Sequence, residues 1–287
     1  MGLGLAIVAS LSFVMLDVLR KILGHSLDVV RVVIGINLGA AVVLGGVLWI
    51  EGVPRFDGVF LFLGVVEALL FTLTSLLYVR AVSLSPLSLT IPYLGFTPLV
   101  SALVALLVLS EYPSLRGWSG IACIVVGAAL LHRERGIKAA EFLAAPFREP
   151  GSWRMLLVAT IWGGATSLDK IAIAHGSEAL LGFVMSALSA GLLIVVWSRQ
   201  VRSPETQPKM SARLALLLAA AALVAGVAVL AQFYAYRELL VSYVEAVKRA
   251  GGIVSALIGV LVFHEGGLRH RIPAACLMFA GMLLLIL

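Results

Sequence analysis

The chain has 287 residues, 61% of them hydrophobic and only 13% charged, with a mean hydropathy of +1.09. A soluble domain carries about 25% charged residues, and a globule this apolar would have no polar surface to turn to water, so a soluble fold is excluded. The formal charge of +6 is not the footprint of a nucleic-acid binder, because the cations sit in short loops rather than in a patch or stripe.

In a bilayer every backbone polar group must be satisfied internally, and strand-like alternation is absent, which leaves an all-α membrane bundle. A spanning helix needs roughly 20 mostly apolar residues. Ten such segments follow one another along the chain: 2–23, 30–50, 58–79, 86–110, 115–132, 153–174, 178–198, 212–236, 239–263 and 270–287. The first, from Gly2 to Leu23, is too long and too uniformly apolar for a signal peptide and has no basic leader, so a retained helix is expected. The second contains Gly35 and Gly39 in a G-x-x-x-G spacing, which predicts close helix packing.

The third segment holds Glu67 about nine residues from its start, roughly 13 Å deep at the rise of an α-helix. A charge there is expensive and therefore a functional candidate. It shares a helical face with Phe71, Thr74 and Tyr78, so that face should look into a cavity. Two readings stand: Glu67 titrates or binds a cationic group, or it is a structural carboxyl bonded to a neighbouring helix. The fourth segment contains Pro92, Tyr93 and Pro98, and prolines inside a helix remove backbone hydrogen bonds and kink it. Between the fifth and sixth lies the longest polar stretch, His132 to Gly151, readable as an amphipathic headgroup helix or as a plain solvated linker.

Asp17 with Lys21 and Asp169 with Lys170 fall about fifteen residues into the first and sixth segments, where snorkelling interfacial pairs are expected. Gln232 and Tyr236 share one face of the eighth. The ninth carries Glu245, Lys248 and Arg249, spaced so that Glu245 can pair with either cation. Either one cation binds an anionic group on a solute, or the pairs lock this helix to its neighbours. Gly251-Gly252 follow, opposite Pro98, and interrupted helices at matching places in two halves point to a binding site. Together these residues define a candidate cavity: Glu67, Thr74, Tyr78, Pro92, Tyr93, Gln232, Tyr236, Glu245, Lys248 and Arg249, with Asp17, Asp169 and Lys170 behind them.

The halves repeat. Leu16-Asp17 matches Leu168-Asp169, Glu111 matches Glu265, Leu115-Arg116 matches Leu268-Arg269, and Ala122-Cys123 matches Ala275-Cys276, at offsets of 152 to 154. Five helices per repeat is an odd number, so the second copy must enter the membrane upside down. Residues 1–135 form the first repeat, 136–151 the linker and 152–287 the second. Fifteen of the 21 Lys and Arg (Arg20, Lys21, Arg31, Arg80, Arg133, Arg135, Lys138, Arg148, Arg154, Arg199, Arg202, Lys209, Arg213, Arg269 and Arg271) belong to the face reached after segments 1, 3, 5, 7 and 9. Only Arg55, Arg116 and Arg237 belong to the other face. The positive-inside rule then puts both termini outside the cytoplasm.

Pro86-Leu-Ser-Leu-Thr-Ile-Pro92, Phe96-Thr-Pro98-Leu and Leu109-Ser-Glu111 resemble the fourth-helix pattern of the EamA-type drug/metabolite transporters. Ser242-Tyr-Val-Glu-Ala-Val-Lys-Arg249 leading to Phe263-His-Glu265 resembles its second-half counterpart. The resemblance covers nearly the whole chain. It implies ten helices, a central cavity lined by helices 1, 3, 4, 6, 8 and 9, peripheral helices 5 and 10, and cytoplasmic termini, opposite to the charge count.

An enzyme is not expected. The five histidines lie at helix ends or in loops, and no H-E-x-x-H, G-x-S-x-G or P-loop pattern occurs. Cys123 and Cys276 offer neither a disulfide framework nor metal spacing, and no cofactor is implied. The expected function is secondary active transport of a small metabolite, amino-acid-like or otherwise polar or amphipathic, driven by an ion, a proton or exchange, in a bacterial inner membrane. The alternative is a flippase for lipids or lipid-linked precursors, or its partner subunit. The expected partners are a small-molecule substrate and the lipid bilayer, without nucleic acid; a homodimer is left open.

Overall fold

The computed structural model describes residues 1–24, 26–84, 91–131, 148–198, 210–251, 254 and 268–286. Among them are α1 (Gly2–Gly24), α2 (Val29–Glu51), α3 (Gly58–Leu84), a 3-10 helix (Ile91–Phe96) running into α4 (Thr97–Val108), and α5 (Leu115–Leu131). The second half contributes α6 (Pro150–Ala174), α7 (Glu178–Ser198), α8 (Ala212–Glu238), α9 (Val241–Ala250) and α10 (Leu268–Ile286). No strand occurs among the described residues. Six helices (α1, α2, α3, α6, α7 and α8) are long and apolar enough to cross a membrane, and shorter apolar helices occupy Tyr93–Val108, Leu115–Gly127 and Pro273–Leu285. The expected linker, 136–151, lies outside the described residues over 136–147, as do Gly252 and Glu265.

Side chains set several helix starts. Asp28 accepts from the Val30 N–H at 3.0 Å, Asp57 from Phe60 at 3.0 Å, Ser114 from Gly117 at 3.1 Å, Ser177 from Leu180 at 3.2 Å and Ser211 from Leu214 at 3.3 Å. Each satisfies an amide that the helix itself leaves orphaned. Pro98 corrects the sequence reading: it stands in the first turn of α4, not inside a kinked helix. Its missing N–H has no intrahelical partner to lose there.

The packing repeats. α1 lies on α8, α2 on α7, α3 on α6, α5 on α10, α4 on α6 and α9 on α1. Exchanging each helix for the one five places along turns α1–α8 into α6–α3 and α4–α6 into α9–α1, and leaves α2–α7 and α5–α10 unchanged. Across α2–α7, Arg31 meets Trp197 while Gly45 meets Phe183. Across α5–α10, Gly120 meets Gly281 while Gly127 meets Ala274. In both pairs the equivalent helices run antiparallel.

Small residues permit these approaches. A Cβ on Gly120 would stand 2.7 Å from the Gly281 carbonyl oxygen, and one on Gly281 the same distance from that of Gly120. Gly35 and Gly39 press α2 onto Leu218 and Ala222 of α8, the role their spacing predicts. The outward faces stay apolar: Trp49 is 90% exposed, Leu107 82% and Val42 76%. Apolar patches of that kind belong against lipid rather than water.

Candidate functional site

Four helices bring ionisable or hydrogen-bonding groups to one buried place. α3 supplies Glu67, α6 Asp169, α8 Gln232 and Tyr236, and α9 Glu245, Lys248 and Arg249. Glu67 is 2% exposed, Asp169 6% and Glu245 1%. Glu245 is the hub: Lys248 Nζ lies 2.6 Å from its Oε1, Arg249 Nη2 3.6 Å from its Oε2, and the Tyr236 hydroxyl donates to Oε1 at 2.9 Å. Gln232 Nε2 donates to Tyr236 at 2.8 Å. The Glu245 pairings are those the i+3 and i+4 spacings predict. Lys248 also stands 4.8 Å over the Phe13 ring of α1, a cation–π contact.

Glu67 and Asp169 complete the cluster. Tyr236 lies within electrostatic reach of Glu245, Asp169 and Glu67, Asp169 within reach of Lys248 and Glu245, and Glu67 within reach of Asp169. Three carboxyls thus face two cations. Both cations pair with Glu245, and Glu67 and Asp169 are two further carboxyls beside them. Glu67 Oε1, Asp169 Oδ1, Gln232 Oε1, Arg249 Nε and Ser242 Oγ are buried without a hydrogen-bond partner among the described residues. Buried polar atoms are nearly always paired, so five orphans among these few residues call for an explanation.

Asp169 and Lys170 do not form the expected interfacial pair. Asp169 turns inward, whereas Lys170 Nζ sits 2.5 Å from Glu111 Oε1 and donates to the Leu239 carbonyl at 3.1 Å. Glu111 Oε2 accepts the Val241 N–H at 2.9 Å, capping α9 from outside its own sequence. Asp17 pairs with Arg20 at 3.3 Å, its side chain 64% exposed.

A second wall is aromatic. Tyr78 stacks on Trp162 at 6.3 Å, Trp162 Nε1 donates to Thr74 Oγ1 at 2.9 Å, and the buried Tyr93 stacks on Phe96 at 6.3 Å. Pro92 lies in the 3-10 segment that leads into α4. Sequence reasoning missed Trp162, Phe13 and the capping role of Glu111. Only Glu111 had a signal, as an acid recurring at the repeat offset.

The breaks in α4 and α9 are held alike. Ser10 of α1 donates to the Val247 carbonyl at 3.1 Å and packs on Gly251, where α9 stops. At an offset of 153, Gly163 of α6 approaches the Thr97 carbonyl, where α4 starts, to 2.9 Å from its would-be Cβ. Around the chain terminus the bundle end is tied by charge. Met1 pairs with Glu238 at 3.5 Å, Arg237 with Glu178, and His175 with Asp57 at 2.7 Å. Asp57's carboxyl is held below the usual aspartate range, first by the Phe60 N–H and then by His175. The stabilisation this gives is present above the unfolded value of about 3.9 and is lost as pH falls through the lowered native value.

The model of the EamA-like transporter family matches residues 1–133 and again residues 150–287. A solved structure described only as "Crystal structure of protein" superposes with a TM-score of 0.78 at 16% identity, covering 99% of this chain and 95% of that one. At that identity the likeness speaks for the fold alone. No curated protein matches the chain.

Proposed function

Because the chain belongs to the EamA-like transporter family, within the drug/metabolite transporter superfamily, we propose that it carries a small zwitterionic, amino-acid-like solute across a bacterial inner membrane by alternating access. The reading takes all ten helices as spans, with inverted repeats at 1–135 and 152–287 and 136–151 as linker. The antiparallel pairing of equivalent helices supports it. One observation carries the substrate class: five buried polar atoms without partners, set among three carboxyls and two cations. An ammonium would be received by Glu67 and Asp169 and a carboxylate by Lys248 and Arg249, while the Tyr78–Trp162 and Tyr93–Phe96 wall takes the side chain. Solute would enter past Asp17, at the end away from the Met1–Glu238, Arg237–Glu178 and His175–Asp57 pairs.

Thermal shift on the purified protein tests this. A ligand that binds only the folded state at about 100 times its Kd adds about 2.7 kcal/mol of stability. A neutral amino acid should raise Tm, and its methyl ester and N-acetyl derivative should not. Equal shifts from all three would overturn recognition of both charges.

The charge asymmetry supports an orientation with the termini outside the cytoplasm, opposite to the cytoplasmic termini that the family resemblance implies. Alkaline phosphatase fused after Leu287 should be active and a fluorescent protein at the same place dark. The reverse pattern would place the termini inside.

A further inference from the structure

Away from the cluster, α2, α7 and the start of α8 border an open groove of about 340 Å³ lined by Arg31, Gly35, Ile194, Trp197, Met210 and Leu218, among other residues. Its size sits at the low end of ligand pockets. Gly35 lets α2 close on Leu218, whose Cδ2 would be 2.8 Å from a Cβ there. Around the mouth are three half-exposed or exposed groups. Ile194 is 41% exposed, Met210 is 57% exposed, and the Arg31 guanidinium lies 5.1 Å over the Trp197 ring. Asp28, one turn before Arg31, directs its carboxylate to the Val30 N–H. Arg213 is exposed just beyond Met210. The groove opens at the end of the bundle that carries the excess of Lys and Arg.

We propose that this cleft is a binding site for an anionic phospholipid, with one acyl chain against Ile194, Leu218 and Gly35 and the phosphate on Arg31. The lining is almost entirely apolar, which suits a hydrocarbon chain and not a soluble anion. Arg31, the cation among the described lining residues, is planar and stacked on an aromatic face, an arrangement that holds a guanidinium ready for a phosphate. Basic pockets between spanning helices on the cytoplasmic side are where anionic headgroups bind. Trp197 is the amphipathic ring expected at headgroup depth. The site is separate from the charged cluster and does not depend on what that cluster carries.

Native mass spectrometry of the detergent-purified protein, titrated with phosphatidylglycerol and with phosphatidylcholine of the same acyl chains, tests it. Wild-type protein should retain phosphatidylglycerol at least about fivefold more tightly, the contribution of one basic residue near the headgroups. Arg31→Gln should bring the two lipids to parity. Ile194→Trp, at a partly exposed position, should fill the groove and reduce retention of phosphatidylglycerol with Arg31 intact. Thermal unfolding in phosphatidylcholine should be the same for all three proteins. Soluble glycerol 3-phosphate should not displace the lipid. Equal retention of both lipids by wild type, an undiminished preference in Arg31→Gln, or displacement by glycerol 3-phosphate would each overturn the site.

Discussion

Glu67→Gln should uncouple transport from protons and weaken solute binding, while exchange at saturating solute persists through Asp169. In proteoliposomes with a one-unit pH gradient, a carrier moving one proton per solute accumulates solute about tenfold, since one unit is worth about 1.4 kcal/mol. The variant should accumulate none and still exchange labelled for unlabelled solute across the membrane. Glu67 is 2% exposed, Asp169 is its electrostatic neighbour, and Glu67 Oε1 has no partner among the described residues. Lys248 and Arg249 already pair with Glu245, so the surplus carboxyl needs another counter-charge. Either the solute's ammonium or a proton supplies it, and whichever leaves must be replaced by the other. Glutamine keeps the volume and removes that requirement, leaving Asp169 alone to receive the ammonium. Accumulation at the wild-type level would show that the proton travels elsewhere.

The sequence made much of this visible, for physical reasons particular to membranes. A helix bounded by lipid cannot hide an acid, so Glu67 stood out, and helical spacing alone placed Glu245 beside Lys248 and Arg249. The duplication was legible because matched pairs such as Leu115-Arg116 and Leu268-Arg269 keep a nearly constant offset. Depth counted along a helix was less informative. Asp169 lies toward the end of α6, and residue counting put it at the membrane surface. Counting cannot see that the α8–α9 corner, held by Lys170 on the Leu239 carbonyl and by Glu111 on the Val241 N–H, lies over that end. Pro98 was misread for a related reason: an apolar run from 86 to 110 hides the change from 3-10 to α-helix at Thr97. Trp162 gave no signal because its partner Thr74 lies 88 residues away.

Glu245→Gln should destabilise the protein more than any other single change in the cluster, and a second substitution should reverse most of the loss. Two donors and a second cation converge on this carboxylate: Lys248 at 2.6 Å, the Tyr236 hydroxyl at 2.9 Å and the Arg249 guanidinium at 3.6 Å. Removing one partner of a buried ion pair costs about 3–5 kcal/mol, because the other charge stays buried without compensation. For a chain of this size that is a fall in Tm on the order of 10 °C. Replacing both partners with uncharged groups of similar volume is often nearly neutral. Glu245→Gln with Lys248→Met should therefore recover to within about 1–2 kcal/mol of wild type. Arg249 would then remain as the cluster's cation. Transport of a zwitterion should stay lost in the double variant, since Lys248 is one of the two cations that receive the carboxylate. Stability and function would then part company, which a purely structural pair cannot produce. A double variant that is stable and still transports at the wild-type rate would reduce Glu245 and Lys248 to a lock between α9 and its neighbours. A single variant as stable as wild type would mean instead that Asp169 takes over as the partner of Lys248, and the hub of the cluster would move from α9 to α6.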